Sequence, residues 1–195
     1  MHRNAKLLFL EYVRPLLTGG LKVLEVGPDQ HPSTLCRLAA DPSLTWETVE
    51  PFPRFPVTHV STGEYTFPLE SGAYDVVISS SVLEHVKKPW VWLAELARVC
   101  KVGGRVVTIS PVNWPYHPFP VDCWRMYPEG ARALYESAGL ELELSAREWR
   151  EWRDARVLFD RDSPFKQLKG LVRRLLAWNA PFIRAVDLVS IGIKR

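Results

Sequence analysis

The chain has 195 residues, 47% of them hydrophobic and 24% charged, with a net charge of +3. That length suits one domain able to bury a core unaided, and the composition excludes extended disorder and low-complexity tracts. Three cysteines far apart in sequence, Cys36, Cys100 and Cys123, exclude a disulfide framework and a paired zinc motif, and point to a reducing cytoplasm.

Residues 3–17 place Leu7, Leu10, Val13 or Arg14, and Leu17 near one face at helical spacing, and Thr18-Gly19-Gly20 ends the segment. A leading helix within 1–20, laid over a sheet, is predicted; its apolar run, interrupted by Glu11, is too short to span a membrane. Residues 21–26 read as a strand and 33–40 as a short helix stopped by Asp41-Pro42. Between them lies a carboxylate at the strand end, Glu25, then Gly27, Pro28, Asp29 and a helix-opening Ser33. In an open α/β sheet such a turn holds a nucleotide-like ligand beyond the carboxyl ends of the strands. Two carboxylates there oppose a pyrophosphate and favour a ligand carrying positive charge, which the ammonium and sulfonium of S-adenosylmethionine supply.

A second strand over 46–49 ends at Glu50, about 20 residues past the glycine, where a carboxylate can accept both ribose hydroxyl protons. The stiff segment Pro51-Phe52-Pro53-Arg54-Phe55-Pro56 suits an adenine wall or a plain rigid connection. Strands follow at 57–60 and 76–79, the latter apolar throughout as a strand covered on both faces should be. A helix over 90–100, opened by Pro89, carries Leu93, Leu96, Ala97 and Cys100 on its inner face; Gly103-Gly104 ends it before a fifth strand at 105–109.

Residues 110–127 are too rich in proline for regular structure and too aromatic for a solvated loop, which predicts a lid across the strand ends. Its polar groups are His117, Asp122 and Arg125. His117 can take a hydroxyl proton near neutral pH, Asp122 can orient it or bind a sugar hydroxyl, and Arg125 can grip a carboxylate or phosphate. Alternatively, Asp122 and Arg125 pair and staple the lid. A helix over 128–138 closed by Gly139, an edge strand over 140–144 and a final strand over 186–193 complete the sheet. From Arg161 onward eight basic residues face two acidic ones, and 165–178 is a basic amphipathic stretch. It suits peripheral contact with an anionic membrane or packing on the sheet with its basic face in water. The tail lacks the aromatic–basic alternation of a nucleic-acid groove.

The run Glu25-Val26-Gly27 resembles the first motif of the class I S-adenosylmethionine-dependent methyltransferases, and Tyr74-Asp75 before the central strand resembles a later one. Ser80-Ser81-Val82-Leu83-Glu84-His85-Val86 is similar to the post-strand segment of their Leu-Glu-His subgroup. The run from His117 through Asp122, Trp124 and Arg125 to Pro128-Glu129-Gly130 resembles bacterial methyltransferases associated with surface-polysaccharide and glycolipid assembly. The resemblance covers roughly 20–145. It implies a three-layer α/β, Rossmann-like fold: a seven-stranded, mostly parallel sheet with a final antiparallel strand. The whole chain, 1–195, would be one domain, with a cofactor core over 21–147 and a basic helical segment and last strand over 148–195.

The same resemblance implies S-adenosylmethionine held by Glu25, Gly27, Pro28 and Asp29 at the first turn and by Glu50 at the ribose. Glu64 would lie near the adenine, and Ser79 and Ser80 beside the amino acid end. His117 is the first candidate base and His85 the second, His85 serving otherwise to orient its loop; Asp122 assists, and no metal is implied. The acceptor would be a saccharide or another small molecule methylated on oxygen. Two departures stand out. Only Gly27 of the glycine-rich turn is present, with Asp29 and His31 where further glycines would stand, and the adenine-contacting acid is replaced around Thr62-Gly63-Glu64. These leave open a non-catalytic binding or scaffold protein of the same fold.

Overall fold

The computed structural model describes residues 1–118, 120–150 and 185–195. Seven strands form one sheet: β1 (Lys22–Val26), β2 (Thr45–Glu50), β3 (His59–Val60), β4 (Tyr74–Ser80), β5 (Cys100–Asn113), β6 (Leu140–Glu148) and β7 (Val186–Lys194), in the order β3-β2-β1-β4-β5-β7-β6. The first five in that order run parallel, and β7 is antiparallel to both of its neighbours, β5 and β6. The expected seven-stranded, mostly parallel sheet is therefore present, with the last strand inserted between β5 and the edge strand.

Two-residue alternation along the central strands sorts their side chains into two cores. Val23, Val76, Ile78, Val107 and Ile109 pack on one face against Ala5, Leu8, Phe9 and Val13 of the leading segment and against Leu35 of α2 (Thr34–Ala39). Leu24, Val77 and Val106 pack on the other against Trp92, Leu93 and Leu96 of α3 (Pro89–Val99), with Leu134 and Tyr135 of α4 (Pro128–Ser137). Helices on both faces place the ligand region at the carboxyl ends of β1, β2 and β4.

The leading segment differs from the single regular helix predicted over 3–17. It runs as α1 (Arg3–Leu8), a π-helical turn (Phe9–Val13) and a 3₁₀ turn (Arg14–Leu16) containing Pro15. Ala5, Leu8 and Phe9 are buried in the core, while Leu7 and Leu10 are only partly covered. Buried Asn4 ties the segment to the far side of the sheet, donating to the Glu148 carbonyl at 2.9 Å and to Asp187 at 2.7 Å.

β5 is longer than predicted at both ends. Its start pairs Tyr74 with Cys100, and the register then shifts so that Val76 pairs with Arg105, leaving a bulge that holds Gly103 at φ 77. Gly104 lies against the backbone, where a Cβ would meet the Asp75 carbonyl at 2.7 Å. At the other end, residues 110–113, assigned by sequence to the lid, belong to the strand. Pro111 is tolerated there because the pairing with β4 ends at Ile109 and a register shift lies between Pro111 and Asn113. The basic stretch 165–178, with the membrane contact expected of it, lies outside the described residues; among those described, no helix is long and apolar enough to cross a membrane.

Candidate active site

Three adjoining clefts of about 290, 330 and 370 Å³ open beyond the strand ends, and Ser81 and His85 line all three. The chain turns sharply there. Ser81 takes a left-handed backbone, φ 58, directly after β4, and its hydroxyl is buried without a hydrogen-bond partner among the described residues. A non-glycine residue in that conformation stores strain, and such strain concentrates at functional turns.

The 330 Å³ cleft is built on the β1–α2 turn and is lined by Glu25, Gly27, Pro28, Asp29 and Ser80. Glu25 is only 3% exposed. It accepts hydrogen bonds from the Ser33 hydroxyl and from Trp46 Nε1 at 2.9 Å, both on Oε2. Burial pushes its carboxyl up to about 7 against the pull of these two donors. Ser33 in turn caps α2 through the Cys36 N–H. Asp29 is spent inside the turn, accepting the Thr34 N–H at 2.9 Å and the Thr34 hydroxyl at 2.7 Å. Gly27 has φ 74 and sits so close to Val82 that a Cβ would meet its Cγ2 at 2.4 Å.

The 290 Å³ cleft adjoins it and is lined by Gly27, Glu50, Phe52, Glu64, Phe67 and Trp92 among others. Half-buried Glu50 has its carboxyl raised by burial. Glu64 lines the same cleft. Ser79 does not reach the clefts: its buried hydroxyl donates to the Val26 carbonyl at 2.8 Å and ties β4 to β1. Ser80 lines the first cleft with its hydroxyl 3.3 Å from Met1 Sδ.

The 370 Å³ cleft lies between the Leu83–His85 turn and the lid, and includes Glu84, His85, Trp114 and His117. The lid is fastened to that turn by the Cys123 N–H on the Glu84 carbonyl at 2.7 Å and by Trp124 Nε1 on the Val86 carbonyl at 2.8 Å. His85 donates Nδ1–H to the Val121 carbonyl, and His117 donates its own to the Pro115 carbonyl at 2.9 Å. The two rings meet edge to face with centroids 5.0 Å apart. Asp122 has no oxygen left for a substrate: Arg125 holds both, and one also accepts the His117 backbone N–H at 2.9 Å. The lid staple is thus the arrangement present, and Arg125 grips Asp122 rather than a ligand.

Ser81 and Glu84 were not picked out by sequence reasoning. Glu84 is 1% exposed, burial pushes its carboxyl up to about 7, and its Oε2 has no hydrogen-bond partner among the described residues. Both lie within the Leu-Glu-His stretch, so its resemblance was the available signal; their burial and their closeness to His117 depend on tertiary packing.

A methyltransferase-domain family model matches residues 12–108. That stretch, about half of the chain, matches a methyltransferase domain. An uncharacterized methyltransferase of Mycolicibacterium gilvum is 34% identical over 108 residues, which are 50% of this chain and 41% of that protein. The chain therefore spans about two fifths of the length of that relative. The domain's fold is similar to that of the YcgJ protein of Bacillus subtilis, with a TM-score of 0.61, 14% identity and coverage of 100% and 99% of the two chains. It is also similar to Haemonchus contortus phosphoethanolamine N-methyltransferase 2 in complex with S-adenosyl-L-methionine, with a TM-score of 0.63, 15% identity and coverage of 98% and 52%. The two smaller clefts suit S-adenosyl-L-methionine, the molecule held by that Haemonchus contortus structure. A buried carboxylate at Glu25 suits the ammonium, Glu50 suits the ribose hydroxyls, and Phe52, Phe67 and Trp92 offer apolar walls for the adenine. The backbone at Gly27 leaves no room for a side chain between them.

Proposed function

We propose that the chain transfers a methyl group from S-adenosylmethionine to an oxygen of a saccharide or another small hydroxylated acceptor. The observation that carries this reading is the meeting of the two cofactor clefts with the 370 Å³ cleft at Ser81 and His85, under a lid that carries His117. The cofactor supplies a methyl on a sulfonium and leaves as a thioether. The protein's task is to align the acceptor oxygen with that methyl and to keep water out. His117, its Nδ1 proton held by the Pro115 carbonyl, presents Nε2 as the base for the hydroxyl proton, with His85 the second candidate. Half-buried Trp114 supplies apolar cover, and the likeness of the lid sequence to glycan-associated methyltransferases supports a sugar acceptor.

Incubation with S-adenosylmethionine and a panel of nucleotide sugars, oligosaccharides and glycolipids tests the reading, followed by S-adenosylhomocysteine release and mass spectrometry. One acceptor should gain a methyl on oxygen, and His117→Gln should lower kcat by about 10²-fold or more with cofactor affinity unchanged. Methylation on nitrogen alone contradicts the oxygen acceptor. No product with any acceptor, together with cofactor affinity too weak to matter, would favour a non-catalytic binding or scaffold protein, the reading that the closed Asp29–Thr34 turn supports.

A further inference from the structure

The 370 Å³ cleft holds three side chains whose arrangement the methyl-transfer reading does not explain. One donor atom each of Glu84, His85 and His117 lies within 4.8 Å of the others. His85 Nε2 already stands 3.8 Å from Glu84 Oε1. A carbonyl oxygen only accepts, so the contacts of His85 with Val121 and of His117 with Pro115 place the protons on both Nδ1 atoms. In the neutral rings both Nε2 lone pairs are then free. Backbone anchoring of one ring nitrogen is the device that orients metal-ligating histidines. The third side chain is a carboxyl group, which a bound cation would hold ionised. Glu84 is almost wholly buried, yet its Oε2 has no hydrogen-bond partner among the described residues, an expensive state for a carboxylate that merely packs. Asp187 and Asp122 act on it as like charges, against Arg125 as the opposite one.

We propose that Glu84, His85 and His117 form a binding site for a divalent transition-metal cation at the floor of the acceptor cleft. Two imidazoles and one carboxylate select a borderline ion of the Mn²⁺ to Zn²⁺ series over Ca²⁺ or Mg²⁺, which prefer oxygen throughout. Metal–donor distances of about 2.0–2.2 Å require donors about 3–4 Å apart. Binding the cation would draw the three donor atoms together by that difference. Three protein ligands leave coordination positions open toward the cleft, where an acceptor hydroxyl can bind. What the cation does there rests on the methyl-transfer reading; its binding does not. A hydroxyl held by the cation would be acidified and give its proton to water; its oxygen would form the bond to the methyl carbon as the carbon–sulfur bond breaks, the electron pair staying on sulfur in the departing thioether. His117 serves in that state as a ligand in place of a free base.

The test is titration of chelator-stripped protein with Co²⁺, read by its visible d–d absorption and by calorimetry, for wild type, Glu84→Gln and His117→Ala. The expected result is a single saturable equivalent with nitrogen–oxygen coordination bands, weakened at least about tenfold in each variant. His117→Ala removes a lid side chain outside both cores, so it keeps the test open should Glu84→Gln fail to fold. Wild-type binding no tighter than that of the variants, or no d–d band, overturns the site. Co²⁺ uptake in protein that methylates no acceptor upholds the site and removes the reading above. Full methyl transfer by stripped protein that takes up no Co²⁺ overturns the site and leaves that reading standing.

Discussion

Arg125 holds Asp122 by both carboxylate oxygens, with Nη2 2.6 Å from Oδ2, in a position that leaves 1% of the Asp122 side chain exposed. The same guanidinium reaches the Trp114 carbonyl at 3.3 Å, and the same carboxylate accepts the His117 N–H. One ion pair therefore sets the path of the lid on which His117 rides. Removing the cation from such a pair strands a buried charge, whereas lysine keeps the charge and loses the fork. Arg125→Met is expected to raise the acceptor KM about tenfold or more and Arg125→Lys by less, with S-adenosylmethionine affinity within about twofold of wild type in both. Steady-state kinetics beside cofactor titration separates the two effects.

Glu25 predicts a pH dependence with a definite sign. Its folded-state value of about 7 lies above the ordinary 4.5, so the folded protein keeps a proton that the unfolded chain has released between those values. Stability from this group is full below about pH 4.5 and is lost as pH rises to about 7, a change on the order of 3 kcal/mol. A cofactor ammonium favours the ionised form, so cofactor affinity should rise with pH across the same window. Glu25→Gln should flatten both trends and weaken binding, as thermal melts and calorimetry from about pH 5 to 8 would show.

Gly27→Ala places a methyl 2.4 Å from Val82 Cγ2 at a φ of 74. Overpacking and left-handed strain together should cost roughly 2–4 kcal/mol and abolish cofactor binding, measured by denaturant melts and calorimetry.

Ser81→Gly is expected to act in the opposite direction on stability. Relief of the left-handed backbone should stabilise the fold by up to about 1 kcal/mol, while looser placement of the turn shared by the three clefts lowers turnover. Unchanged turnover in the stabilised variant would remove the turn from the machinery.

Glu25, Gly27 and Glu50 were legible because each stands at a strand end, and strand ends are marked by local pattern. Which residue after β4 faces the ligand was not, because the answer depends on strand parity and on the turn that follows. Ser79 points back to β1, and Ser81 stands at the junction of the clefts. Pro111 reads as a strand breaker, yet it is accommodated where β5 has lost its pairing with β4. The fate of Asp122 and the cluster around Glu84 depend on contacts between segments distant in sequence, which no spacing rule records. Asp29 lies between these cases: an acidic residue in the turn was visible, but its use by Thr34 was not.

Binding of the cofactor between Glu25 and Glu50 is tested most directly by calorimetric titration of the wild-type protein and Glu50→Ala with S-adenosylmethionine and S-adenosylhomocysteine. Binding in the micromolar range, about −8 kcal/mol, is expected, weakened roughly 10- to 100-fold in a variant that melts with the wild type. No heat from folded wild-type protein at about millimolar ligand, or equal affinity in Glu50→Ala, would contradict it.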